Sequence, residues 1–136
     1  MTANLWAHTE HALAYLQARD TIPHRADALA VLVELLPPSV ERVLDLGTGD
    51  GSTLAAVLAV RPEATGLGLD FGEEMLRQAR GRFEGDNRVR LGRHDLSDPL
   101  RQIENEHFDL VVSSFAIHHL EPARQHALYR EVFEFL

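Results

Sequence analysis

The residues with the most chemical promise stand together, in the run Asp45-Leu46-Gly47-Thr48-Gly49-Asp50-Gly51-Ser52. Glycines tolerate positive φ and carry no Cβ, so a loop built from them lets backbone N–H groups approach a ligand closely. An apolar run, Arg42-Val43-Leu44-Asp45-Leu46, precedes this loop, and an alanine-rich stretch from Ser52 to Val60 follows it. A strand feeding a tight turn that opens a helix is therefore expected. A dinucleotide site of the GxGxxG kind would place its third glycine at position 52, where Ser52 stands. Asp45 is a second discriminator. A glycine turn alone is often only a tight connection, but a carboxylate inside an apolar strand needs a partner. Two residues before the first glycine, it suits a cationic ligand better than a pyrophosphate.

Further candidates lie downstream. Asp70 ends the run Thr65-Gly66-Leu67-Gly68-Leu69-Asp70. Its carboxylate can accept two hydroxyl protons, or cap the helix that starts at Gly72. Asp95, in His94-Asp95-Leu96, has the alternative of a turn aspartate ahead of Ser97-Asp98-Pro99. His118-His119 invites thoughts of a metal or a base. Side chains adjacent on a helix start diverge, however, and no other ligand pair has suitable spacing, so no metal site is expected. His8 and His11 are separated by Glu10, which points elsewhere, and a solvated face accounts for them. His24-Arg25 reads either as an exposed helix entry or as a pair near the ligand. Trp6 and Tyr15 suit helix packing, or a lid.

These motifs, taken in order, resemble the class I S-adenosylmethionine-dependent methyltransferases over residues 24 to 136. Asp45 to Gly51 looks like the family's first motif, with Gly47, Thr48, Gly49 and Gly51 cradling a cofactor that carries a sulfonium and an ammonium but no phosphate. The resemblance implies that Asp70 binds both ribose hydroxyls, that Asp95 accepts from the adenine amine beside Leu96, and that Phe71 and Met75 pack near the adenosine. Phe108-Asp109-Leu110-Val111-Val112-Ser113-Ser114-Phe115-Ala116-Ile117-His118-His119-Leu120 is similar to the segment after strand four in the small-molecule branch. It brings Ser113, Ser114 and His118 toward the cofactor. Arg25 is a candidate for the methionine carboxylate, and His118, His119 and His24 are the weak candidates for catalysis. Methyl transfer is an in-line displacement that needs alignment and dryness more than a strong base. The lack of an evident catalytic dyad is no objection.

The elements that must position these groups alternate. Strands are expected at 42–46, 65–70, 89–92 and 108–113, with helices at 52–60, 72–83 and 121–136. Pro122 falls in the first turn of the last helix, where its missing N–H costs nothing. The second strand is weakened by Gly66 and Gly68. Such alternation means βαβ units, a parallel sheet and right-handed crossovers. The fold expected is a Rossmann-like parallel α/β sheet of order 3-2-1-4, with flanking helices. The switch point between strands one and four lies where Gly47, Asp70, Asp95 and Ser113 stand. Two helical patterns precede it, one through Leu5, Ala12 and Leu16, the other from His24 to Leu36 with Ala28, Leu29, Leu32, Leu35 and Leu36 as its stripe. Residues 1–38 are read as an N-terminal helical extension and 39–136 as the cofactor-binding domain.

Composition limits the partners. The 136 residues carry 13 Lys+Arg against 21 Asp+Glu, a net charge of −8, and the arginines are scattered among acids. Nucleic acid and anionic membranes are disfavoured as partners, and a small-molecule methyl acceptor is expected. With no cysteine there is no disulfide framework. No signal or membrane span is visible, so a cytoplasmic location is expected. The family's fold continues through three further strands absent here, so the chain is expected to be a truncated form. Strand four would then be an open edge, and a homodimer through that edge or the last helix is expected. Two alternatives remain open: a non-catalytic S-adenosylmethionine- or nucleoside-binding module, and a nicotinamide-dependent oxidoreductase domain.

Overall fold

A computed structural model describes Glu10, Leu13, Ala14 and residues 25–136 of the chain. Glu10, Leu13 and Ala14 are helical and exposed. His8, His11, Trp6, Tyr15 and His24 lie outside the described residues. The elements that follow are α1 (Arg25–Glu34), β1 (Arg42–Leu46), α2 (Ser52–Val60), β2 (Thr65–Asp70), α3 (Glu73–Arg82), β3 (Val89–Arg93), β4 (Leu110–Ser113) and α4 (Pro122–Phe135). Short 3₁₀ turns at Arg101–Ile103 and Ile117–His119 flank β4, and neither is signalled by apolar periodicity. None of the described helices is long and apolar enough to cross a membrane.

The four strands form one parallel sheet in the order β3-β2-β1-β4, as expected from the alternation of elements. Side chains along a strand point alternately to its two faces, and this period of two sorts the core. Leu44 and Leu46 of β1, with Leu67 and Leu69 of β2, join Leu128 and Phe135 of α4 on one face. Val43 of β1 and Val112 of β4 pack on the other face with Leu54, Val57 and Leu58 of α2. Gly51 ends the loop before α2 but makes no side-chain cap. Burial of Leu54, Val57 and Leu58, each contributing roughly 1.5–3 kcal/mol, outweighs the cap of about 1 kcal/mol that is missing.

The glycines of β2 have a purpose that local propensity hides. A Cβ on Gly66 would lie 2.7 Å from Leu54 Cδ1, and one on Gly68 would lie 2.8 Å from the Thr48 hydroxyl. Their absence lets α2 and the glycine loop settle onto the sheet. β4 starts at Leu110 rather than at Phe108, whose main-chain N–H goes to the Phe135 carbonyl of α4, and Asp109 bonds to β1 through both main chain and side chain. Its carboxylate accepts the main-chain N–H groups of Glu41 and Arg42, at 2.7 and 2.9 Å, tying down the start of β1. The stripe expected on α1 is only partly inward. Leu32 packs on the core and Leu36 is buried, while Ala28 and Leu35 are exposed.

Candidate functional site

The carboxyl ends of β1 and β2 meet around the glycine loop. Gly47 and Thr48 both donate their N–H to the Leu69 carbonyl, at 2.8 and 2.9 Å, so the loop hooks onto β2 as it leaves β1. Gly47, Gly49 and Gly51 have φ of +71°, +58° and +84°, where any other residue type is strained. Their surroundings differ. A Cβ on Gly47 would meet Ala116 Cβ at 2.3 Å, and one on Gly51 would meet the Phe83 ring at 2.5 Å. At Gly49 nothing lies within 4 Å. Packing inside the protein therefore explains the first and third glycines, whereas the middle one faces open space.

Two strand carboxyl groups, Asp45 of β1 and Asp70 of β2, border this loop. Asp70 accepts the N–H of Gly49 at 2.8 Å and that of Gly72 at 2.9 Å, tying the glycine loop to the residue before α3. Burial raises its pKa above the usual carboxylate value, and its three backbone hydrogen bonds pull the other way. Asp45 is fully enclosed. The Thr48 hydroxyl donates to its Oδ2 at 2.8 Å, while Oδ1 has no partner. Its pKa is pushed up to about 7, first by burial; the Thr48 hydrogen bond opposes this and the charge of Asp70 adds to it.

The remaining expected residues spread over the same end of the sheet. Asp95 is half-buried and accepts the Ser97 N–H at 2.9 Å, the geometry of a turn aspartate. Leu96 is buried in the core below Gly47. Phe71 lies under the Arg93 guanidinium, 4.7 Å from the ring centre. Met75 is 1% exposed, an interior side chain in this conformation. The Ser113 hydroxyl donates to the Leu46 carbonyl at 2.7 Å and so belongs to the sheet, while Ser114 is half-buried. His118 and His119 are exposed on a 3₁₀ turn, their ring centres 4.0 Å apart, so these neighbours do not diverge as a helix start would make them. Among the described residues no cluster of His, Asp or Glu could hold a metal.

Arg25, a candidate from the sequence, joins residues around the loop that local sequence signals do not mark. Arg25 donates to the Ser52 hydroxyl at 2.9 Å, and Ser52 donates to Asp50 Oδ1 from both its hydroxyl and its N–H. Arg82, at the end of α3, donates to the Asp50 carbonyl and carboxylate. Phe115 holds φ of +57°, rare for an aromatic residue, and this turns Ala116 onto Gly47. Only the run of polar residues between the glycines hints at any of this.

Residues 43–136 match a family described as a methyltransferase domain. The chain belongs to this methyltransferase domain family. It is 35% identical over 89 residues to a demethylmenaquinone methyltransferase of Clavibacter sepedonicus, an alignment covering 65% of this chain and 35% of that enzyme. Its fold matches an O-methyltransferase family protein from Burkholderia thailandensis with a TM-score of 0.75 at 21% identity, over 96% of this chain and 40% of the other. An amino pentose methyltransferase from Micromonospora echinaspora, solved with S-adenosylmethionine bound, is 26% identical with a TM-score of 0.64, over 100% of this chain and 55% of that one. The chain spans 37% and 35% of the length of the first curated relatives it matches. Class I methyltransferases take the methyl group from S-adenosylmethionine.

Proposed function

We propose that the chain is the S-adenosylmethionine-binding part of a methyltransferase that acts on a small-molecule acceptor. The observation that carries this reading is the open Gly49, set between the buried carboxyl of Asp45 and the half-buried carboxyl of Asp70. The residues fit the cofactor's chemistry. Gly49 has the room that a Cβ would take, the Asp45 carboxyl has an oxygen without a donor, and neither carboxyl would welcome a phosphate.

Bound there, S-adenosylmethionine supplies a methyl group on sulfonium sulfur. Gly47, Thr48, Gly49 and Gly51 form the cradle, with the Asp45 carboxyl beneath it. Asp70 takes the ribose hydroxyls, and Asp95 and Leu96 take the adenine edge with Phe71 beside it. Met75 supports that wall from the interior. Arg25 faces the carboxylate of the methionine part, while Ser113, Ser114 and His118 line the approach to the methyl group. His118, His119 and His24 are the histidines to examine for a base. Residues 1–38 are proposed as an N-terminal helical extension of the cofactor-binding domain formed by 39–136. The acceptor is proposed to be small and uncharged or cationic, since the chain carries a net charge of −8.

Calorimetric titration with S-adenosylmethionine, S-adenosylhomocysteine and NAD tests the reading. The first two bind, NAD does not, and Asp70→Ala abolishes binding. Asp70 also holds Gly49, so a dideoxyribose analogue of S-adenosylhomocysteine separates the two roles. The wild type should favour the natural ribose over the analogue by roughly tenfold or more, since loss of a hydrogen bond to a charged group costs about 1.5–3 kcal/mol. A folded chain that binds NAD in preference, or makes no distinction between the riboses, would sink the proposal.

A further inference from the structure

The glycine loop is held by residues outside β1 and α2. Asp50 is nearly buried, its side chain 6% exposed, and the Arg82 guanidinium reaches it from the last turn of α3. Arg82 Nε donates to the Asp50 carbonyl at 2.9 Å and a terminal nitrogen donates to Asp50 Oδ2 at 3.2 Å. Oδ1 of the same carboxylate accepts from Ser52. The next residue after Arg82, Phe83, lays its ring over the place where a Gly51 side chain would be. One turn of helix thus touches both residues of the loop's second half. The first half is held by Asp70, at the start of the same β2–α3 connection.

An arginine in the last turn of a helix has an ordinary role, meeting the partial negative charge of the terminal carbonyls. Arg82 does something different. Its recorded bonds go to a residue 32 positions earlier in the chain, and they engage both main chain and side chain. A guanidinium spans two such acceptors with donors fixed in a planar fork, a geometry that the single nitrogen of an ammonium does not impose. Arg80, in the same last turn, makes no such link to the loop.

We infer that Arg82 is a positioning residue for the cofactor loop, acting through Asp50, which keeps Gly49 and its neighbours in the conformation that accepts the cofactor. The inference rests on the proposed S-adenosylmethionine site. Arg82 touches no ligand in this scheme; it sets where the loop's backbone donors point, and displacement of such groups by a fraction of an ångström is costly.

The test compares Arg82→Gln, Arg82→Lys and Asp50→Asn with Arg77→Gln, which loses an exposed ion pair to Glu74 on the same helix. Amide hydrogen exchange over residues 48–52 is read without ligand, and the Kd for S-adenosylhomocysteine is read by calorimetry. Arg82→Gln should speed exchange in the loop and weaken binding about tenfold, equivalent to about 1.4 kcal/mol. Arg77→Gln should change neither. Arg82→Lys should fall between them, and it carries the test if the glutamine variant fails to fold. The double variant of Arg82→Gln with Asp50→Asn should bind no more weakly than the poorer single variant. Wild-type exchange and affinity in Arg82→Gln, or fully additive losses in the double variant, would overturn the inference. A wild-type chain that binds no S-adenosylhomocysteine would instead refute the proposed site, and loop exchange alone would then decide whether Arg82 holds the loop.

Discussion

Asp45 and Asp70 are both burdened by burial, and they differ in what answers it. Asp70 has backbone donors on each oxygen, whereas Asp45 has one hydroxyl and an unanswered Oδ1. The folded Asp45 carboxyl titrates near 7 against 3.8 in the unfolded chain. Between those values the folded state keeps a proton that the unfolded state has released, so the contribution of Asp45 to stability is greatest below about pH 4 and declines as pH rises to 7. The gap corresponds to something on the order of 4 kcal/mol. Asp45→Asn should remove most of this decline, melting well above wild type at pH 8 and close to it at pH 4. Parallel melting curves for the two proteins across that range would refute the assignment. The glycines allow a second comparison. Gly47→Ala should destabilise the fold by about 3 kcal/mol or more, from backbone strain plus collision with Ala116. Gly49→Ala should cost only about 1–2 kcal/mol of strain, yet lose S-adenosylhomocysteine binding. Denaturant melts with calorimetry check both, and a Gly49→Ala protein that binds normally would show that the open space there is not used.

Elements announced by continuous apolar runs were legible in the sequence, because burial on both faces of a parallel strand leaves little choice of residue. β1, β2 and α2 end where the residues say they should. Legibility fails where one element's shape depends on another. Gly66 and Gly68 look like defects in a strand until α2 and Thr48 are seen against them. The 3₁₀ turn that stacks His118 on His119 follows from the left-handed Phe115, and no propensity marks a phenylalanine for that conformation. The positions of Asp45 and Asp70 near the ends of their strands were readable from the apolar runs that precede them. Arg82 was not, because a scattered arginine on an amphipathic helix carries no local sign of a partner 32 residues away.

The whole molecule treats the two edges of its sheet differently. β3 presents Arg90 and Arg93, each in an exposed ion pair, the charged kind of edge that discourages further pairing. β4 presents Leu110, Val111 and Val112, with no strand beyond it among the described residues. Tyr129, Phe133 and Leu136 of the last helical segment are 53%, 80% and 63% exposed, at spacings that place them on one side. Light scattering of this chain should show mass rising with concentration, and Phe133→Lys should reduce that rise without lowering the melting temperature. A monomer at every concentration would contradict this expectation.

The two anchors of the glycine loop, Asp70 and Arg82, lie outside the strand and helix that the loop joins. The smallest stretch that carries its own loop geometry therefore runs from Arg42 to Phe83, through two strands and two helices. Grafting the loop with only its flanking strand and helix into another scaffold would leave Gly49 and Asp50 without the groups that orient them. A crossover between homologues at the turn through Gly85 keeps Asp70 and Arg82 with their loop but parts Gly47 from Ala116, whereas one between Ser52 and Asp70 parts the loop from both anchors.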